Sequence, residues 1–319
     1  MAEVVTLGEC LISLVAERPG PIAEVAAFSR HVAGAEANFA VGLARLVHAV
    51  GYIGRVGADG FGAAIVRRLR GEGVDVRFLH QGPEGPTGLM VRELRTLGPS
   101  EVLYYRSGSA GSRLTAAAVD EAAEGGVFDG ARWLHVTGIT PALSESARAA
   151  VERAIELARR AGCTISLDLN LRRRLWTDEQ AAPVLRGLAG RVDVVFGSAD
   201  EAAVVAGSGD PDGLLTLGPR CAVLKLGASG AEARESGCEP VRVPAIPVAS
   251  MVDPVGAGDA FCAGFVAARL DGGDLREALE VACACGAAAV SAVGDLTGLP
   301  TRDEVARLRS AIAADDTIR

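Results

Sequence analysis

From Trp133 onward the chain alternates between short, uninterrupted apolar runs and stretches whose apolar residues recur at helical spacing, and that alternation leaves very few folds open. A run at 133–136 precedes a predicted helix at 144–160, and a run at 164–169 leads to a helix near 178–188. The run at 192–196 is followed by a helix at 200–205, and 221–226 is a further strand before an excursion rich in Gly and Pro. Two Ala-rich helices, predicted at 260–270 and 275–293, come late. Strands that are apolar at every position are buried on both faces. The expectation is therefore an α/β fold, a doubly wound and mainly parallel sheet with helices on both faces.

The first part of the chain follows a different pattern. Residues 3–7 read as a buried first strand ended by Gly8, and a helix begins near Glu36. A short strand at 51–57 is followed by a helix through Ile65 to Leu69. Between these units, 11–32 is irregular, with a turn at Pro19-Gly20-Pro21. Strand candidates at 88–94 and 101–105, separated by a turn at Gly98-Pro99, predict an antiparallel hairpin. Together these stretches predict a separate small β-sheet over the main one. The expected division is an α/β core of 1–10, 33–86 and 107–319, with a discontinuous lid of 11–32 and 87–106. No repeat or linker is visible apart from a frayed tail after Ala314.

Composition narrows the function classes. A net charge of −8 over 319 residues argues against a general nucleic-acid binder. An anionic small molecule stays open if Arg or Lys cluster locally. The first ten residues lack the charged and apolar regions of a signal peptide, and the Ala-rich run at 281–290 is too short to span a bilayer. Seven scattered cysteines and four dispersed histidines form neither a disulfide framework nor a metal-ligand spacing. The expectation is a reduced, cytoplasmic protein. Of its 32 basic residues only Lys225 is lysine, in a background that otherwise favours Arg.

The most informative segment runs Asp253-Pro254-Val255-Gly256-Ala257-Gly258-Asp259-Ala260-Phe261 into a helix. Gly256, Ala257 and Gly258 leave backbone N–H groups uncovered where the helix begins, a place that binds phosphate and stabilises developing negative charge. Asp259 repels phosphate, so it suits a base that takes a proton from an attacking hydroxyl. An ordinary Asp N-cap after a Gly-rich turn fits the local physics equally well. The chain has neither a Walker-type G-x-x-x-x-G-K-[ST] loop nor a clean G-x-G-x-x-G, which removes P-loop enzymes and disfavours a dinucleotide fold.

Residues 253–266 resemble the C-terminal signature of the ribokinase (PfkB-type) carbohydrate kinase family. Residues 33–40, followed by Gly54-Arg55-Val56-Gly57-Ala58-Asp59-Gly60-Phe61-Gly62, resemble its N-terminal signature. Val47 departs from the family's usual Gly after the helix ending Ala-Arg-Leu. Within the family, the stretches 104–112 and 138–144, and Asp168-Leu169-Asn170-Leu171-Arg172 with Leu175-Trp176, resemble 2-keto-3-deoxygluconate kinases. The resemblance implies ATP-dependent phosphorylation of the 6-hydroxyl of that sugar acid, with Asp259 as base.

It implies that Gly34, Ala35, Asn38, Tyr104, Arg106, Arg172 and Asp295 contact the sugar acid. Its carboxylate suits the planar guanidinium of Arg106 or Arg172, although singly each could be a solvated surface charge. If the extended geometry persists, Asp168, Asn170 and Arg172 share one side of the chain and Leu167, Leu169 and Leu171 the other. The nucleotide side is implied to comprise Asn170, Ser198, Lys225, Gly227, Ala228, Gly230, Gly256, Gly258 and Cys283, the last where relatives often carry Asn. Ser198-Ala199-Asp200-Glu201 resembles the family's N-x-x-E element, so Glu201 is expected to hold Mg2+ through water, or simply to cap a helix. A monovalent cation and a homodimer formed through the lid also follow from the resemblance. Two other readings remain at this point: a kinase for a neutral sugar such as fructose or ribose, and a non-catalytic sugar- or nucleotide-binding regulator.

Overall fold

Val4 and Val5 are both fully buried, yet they face opposite ways, and this explains the unbroken apolar runs. Val4, Tyr52, Phe196 and Val223 join one hydrophobic cluster, while Val5, Ile53, Val195 and Ala222 join the other. Each strand thus alternates between two cores, one on either side of the sheet.

The computed structural model describes residues 1–95 and 101–313. Its strands are β1 (Val4–Leu7), β2 (Leu11–Ala16), β3 (Phe28–Ala33), β4 (Val50–Gly57), β5 (Leu79–Gly82) and β6 (Leu89–Arg92). These are followed by β7 (Val102–Tyr105), β8 (Trp133–Thr137), β9 (Thr164–Asp168) and β10 (Val194–Gly197). The last three are β11 (Cys221–Lys225), β12 (Ala231–Glu235) and β13 (Val241–Val243). Helices α1 (Ala35–Arg45), α2 (Gly60–Gly71), α3 (Ala116–Glu124), α4 (Ile139–Leu143), α5 (Glu145–Arg160) and α6 (Asp178–Ala189) connect the first part. The remaining helices are α7 (Ala199–Ala206), α8 (Pro211–Leu215), α9 (Ala257–Leu270), α10 (Leu275–Ala289) and α11 (Arg302–Ala313).

The main sheet has nine strands in the order β13-β12-β11-β10-β9-β8-β1-β4-β5, parallel from β11 through β5. The chain first builds outward from β1 to β4 and β5, then returns to lay β8 on the other flank of β1. That reversal opens a crevice beyond the carboxyl ends of β1 and β8, where open α/β sheets bind ligands. The second sheet, β3-β2-β6-β7, stands apart, and β6 pairs antiparallel with β7 as the hairpin reading required. The turn expected at Gly98-Pro99 and the frayed tail lie outside the described residues.

Three expectations are corrected. The Gly/Pro-rich excursion after β11 contains two antiparallel strands, β12 and β13. Helix α10 stops at Ala289, short of 293: the Val290 carbonyl accepts from the amides of Val252 and Asp253 instead of continuing the helix. Helix α9 begins at Ala257, three residues earlier than the apolar spacing suggested. Small residues let α9 pack tightly. A Cβ on Gly264 would lie 2.7 Å from the Cys285 sulfur of α10, and one on Gly42 of α1 would lie 2.9 Å from the Ala263 Cβ.

Candidate active site

The early start of α9 decides what Asp259 is not. Gly256 is the N-cap, with φ of 82°, so Asp259 sits in the third position of the helix and caps nothing. A left-handed backbone at Gly256 suits glycine, and a Cβ there would lie 3.0 Å from the Asp295 carbonyl oxygen. The turn brings the first-turn amides of α9, which have no intrahelical acceptor, up to the carboxylate. Asp259 is 8% exposed. Burial raises its pKa to about 7; a hydrogen bond from Asn38 opposes the shift, the nearby Asp168 adds to it, and Arg172 and Lys225 moderate it.

Both Asp259 oxygens are held. Asn38 Nδ2, on α1, donates to Oδ2 at 2.8 Å, and Asn170 Nδ2 donates to Oδ1 at 3.3 Å. Asn170 has φ of 38°, so the extended geometry expected beyond β9 ends at Asp168. The bend still leaves Asp168 and Asn170 together on the polar side, while Leu167, Leu169 and Leu171 stay in the apolar cluster. Lys225 Nζ lies 2.7 Å from both Asp168 oxygens and would be 3.4 Å from a Cβ on Gly258. Burial opposes its charge, but the Asp168 carboxylate holds its pKa above the ordinary lysine value. The one lysine is thus a fixed ammonium beside the turn that opens α9.

Two cavities meet residues around Asp259. One, of about 560 Å3, is walled by Lys225, Gly227, Ala228 and Gly230, by Pro247, Val248 and Met251, and by Gly258, Cys283 and Val290. It is mostly apolar and is bounded at one end by Ala257 and Gly258 of the α9 turn. Gly227 and Gly230 have φ of 56° and 90°. The other, of about 930 Å3, is lined by Tyr104, Arg106, Ser112, Leu171, Arg172 and Arg174 among others.

The two arginines singled out from sequence differ in their engagements. Arg106 Nε donates to Glu9 Oε2 at 2.7 Å, its Nη2 pairs with the same oxygen, and its guanidinium lies 5.5 Å from the Tyr104 ring centre. Arg172 is exposed and has no carboxylate partner among the described residues, whereas Arg173 pairs with Asp178 and Asp200. Deep in the crevice, Asn38 Oδ1 and Asp295 Oδ2 are buried without hydrogen-bond partners. Burial raises the Asp295 pKa to about 6 although Arg92 opposes the shift. Gly34 caps α1 with φ of 135°, and a Cβ there would strike the Glu9 carbonyl oxygen at 2.5 Å; Ala35 is buried behind it.

Ser198 and Glu201 form a capping box on α7. Glu201 Oε1 also accepts from the Leu171 amide at 2.7 Å, and Oε2 accepts from the Ser198 amide at 2.8 Å. Ser198 does not line the nucleotide-sized cavity. Among the described residues no group of three or more His, Cys, Asp or Glu could hold a metal ion. That donor set suits a hydrated cation carried by a ligand's phosphates, not one bound by the protein alone. No described helix is long and apolar enough to cross a membrane.

Sequence reasoning missed Glu9 and Arg92. Glu9 follows Gly8 beyond the carboxyl end of β1, a position that could have flagged it. Arg92, within a strand, carried no such signal.

Comparison with known proteins shows the family. Residues 1–302 match the model described as pfkB family carbohydrate kinase. A 2-dehydro-3-deoxygluconokinase of Thermoproteus tenax is 41% identical, over 98% of this chain and 95% of that protein. One of Bacillus subtilis is 38% identical, over 97% and 96%. The structure of a Thermotoga maritima 2-dehydro-3-deoxygluconokinase superposes with a TM-score of 0.88 at 28% identity, covering 97% of this chain and 98% of that one. An Escherichia coli protein provisionally assigned as ribokinase II, in complex with ATP and Mg2+, gives 0.89 at 29%, covering 97% and 99%.

Proposed function

The chain belongs to the pfkB family of carbohydrate kinases, and from that premise we propose that it transfers the γ-phosphoryl group of ATP to the 6-hydroxyl of 2-keto-3-deoxygluconate or a close 2-keto-3-deoxy sugar acid. The observation that carries the chemistry is a buried carboxylate with pKa about 7 in the first turn of a helix whose amides are free to meet phosphate. For the substrate class, support comes from the 2-dehydro-3-deoxygluconokinase relatives, the same sugar acid under another name, and from an unpaired arginine at the larger cavity.

In this reading the sugar acid lies in the larger cavity with its carboxylate at Arg172. Arg106 keeps its place through Glu9 and forms the cavity wall with Tyr104. Sugar hydroxyls satisfy Asn38 Oδ1 and Asp295 Oδ2, which otherwise stay buried without a hydrogen bond. Asp259 accepts the proton of the 6-hydroxyl as its oxygen bonds to the γ-phosphorus and the bond to the bridging oxygen of ADP breaks. The amides of the α9 turn and the Lys225 ammonium offset charge on the transferring group. ATP occupies the apolar cavity, with Gly227 and Gly230 allowing close backbone approach and Cys283 beside the base. Bound Mg2+ would screen the phosphates; Glu201 would meet it only through water, since both its oxygens already accept from amides. The small sheet serves as a lid that keeps water out, and two copies pair through it.

The test is ADP release by the purified protein with 2-keto-3-deoxygluconate, fructose and ribose. Preference for the sugar acid in kcat/KM is expected; preference for fructose or ribose would make this a neutral-sugar kinase. Asp259→Asn should lower kcat by about a thousandfold or more with folding intact, and near-normal turnover would remove Asp259 as base.

A further inference from the structure

Arg92 reaches from β6 of the small sheet into the main domain and is 6% exposed. Its Nη1 donates to Asp253 Oδ1 at 3.1 Å and its Nη2 donates to Asp253 Oδ2 at 2.8 Å, a two-point pair with a carboxylate itself 7% exposed. The same carboxylate holds two loops. Oδ1 accepts from the Val255 amide at 3.1 Å, one residue before the Gly256 turn, and Oδ2 accepts from the Gly294 amide at 3.1 Å, one residue before Asp295. Asp295 Oδ2 lies 3.7 Å from Arg92 Nη2. Three stretches distant in sequence therefore meet at one buried ion cluster: the strand next to the Tyr104 strand, the loop that presents the α9 amides, and the loop carrying Asp295.

Stability alone is a poor reason for such a cluster, because a buried ion pair often gains nothing over apolar side chains of the same volume. Its position is more informative. Asp253 without a counter-charge would be a desolvated carboxylate, drawn toward protonation or solvent, and either change releases the Val255 amide and the turn behind it. We infer that Arg92 is a positioning residue for phosphoryl transfer, holding the Gly256 turn through Asp253 and so coupling the sugar-side sheet to the phosphate-side loop. The inference rests on the proposed role of the α9 amides as the phosphate site. Lysine would replace the charge but not the fork that spans both oxygens.

Steady-state ADP release is measured on the full chain with whichever acceptor the parent protein turns over fastest. Arg92→Lys is expected to lower kcat about tenfold while KM for acceptor and ATP stays within about twofold. Arg92→Ala is expected to lower kcat about a hundredfold and to regain about fivefold or more on addition of guanidinium chloride at non-denaturing concentration, with no gain for the parent protein. A purely structural role lowers the melting temperature and leaves turnover per folded molecule unchanged. Parent-like kcat in Arg92→Lys overturns the proposal, as does a folded Arg92→Ala that guanidinium does not rescue. If Arg92→Ala does not fold, Arg92→Lys decides alone. Loss of turnover in Asp259→Asn alongside normal Arg92 variants rejects only the coupling; normal turnover in both rejects Asp259 as base as well.

Discussion

At the scale of single residues, the charge state of Asp259 makes the clearest claim. A base must be ionised to accept a proton, and burial holds this carboxyl neutral up to about pH 7. Below that value kcat/KM should rise about tenfold per pH unit, and it should level off above it. Stability runs the other way. The neutral form is the one the fold favours, so the contribution of this group is complete below the ordinary carboxylate range and is lost as pH rises through about 7. Arg172 is among the charges that favour ionisation of Asp259, which in the proposed mechanism would link substrate recognition to the base. Arg172→Gln should move the rising limb of the profile to higher pH and raise KM for the sugar acid about tenfold. A pH series of kcat/KM measures both, and an unshifted limb would separate Arg172 from the base.

Among the elements, the turn after α1 shows what the sequence could and could not disclose. Val47 was visible as a departure from the family's glycine, and its φ of 71° supplies the physical meaning. The Val47 amide donates to Ala44 O and the His48 amide to Leu43 O, closing the helix through a left-handed residue. A β-branched side chain is strained there, and at 74% exposure it gains little packing in return. Val47→Gly should therefore stabilise the protein by about 1 kcal/mol, the relief being partly offset by the greater freedom of glycine in the unfolded chain. Urea midpoints at unchanged m-value would show it, and an equal or lower midpoint would mean that the turn carries no strain.

Legibility elsewhere follows the same logic. Parallel strands buried on both faces announce themselves through unbroken apolar runs, so β8 to β11 were readable. The edge strands β5 and β13 are short, and β12 beside β13 alternates small apolar with charged residues, leaving too few apolar positions to register. The ends of α9 and α10 were misplaced because tertiary partners set them: Gly256 turns against Asp295, and the Val290 carbonyl serves the loop before α9. The placement of Asp259 at the start of a helix was readable from its glycines. The engagement of Arg106 by Glu9 was not, because it joins residues 97 positions apart with no shared motif.

For the molecule as a whole, the proposed reading would give the small sheet two jobs to reconcile. It faces the larger cavity through Tyr104 and Arg106, yet among the described residues β7 pairs with no strand but β6, and on its outer edge the Val102 carbonyl accepts from the Arg174 guanidinium. Tyr105 is 61% exposed on that edge strand. A sheet edge without a strand partner and with an exposed aromatic residue is poorly suited to solvent and well suited to a second copy of the same chain, which covers it without a new surface having to be built. Such pairing would brace the sheet that carries Arg92, and so steady the Asp253 link and the anion-binding turn. Sedimentation equilibrium should then find a dimer. Tyr105→Glu, which places charge at the contact without touching the Glu9–Arg106 pair, should weaken dimerisation about tenfold or more. If the braced sheet matters for turnover, kcat of this variant should fall with dilution in step with dissociation, while a monomeric parent protein, or a monomeric variant with full kcat, would show that each chain holds its own lid.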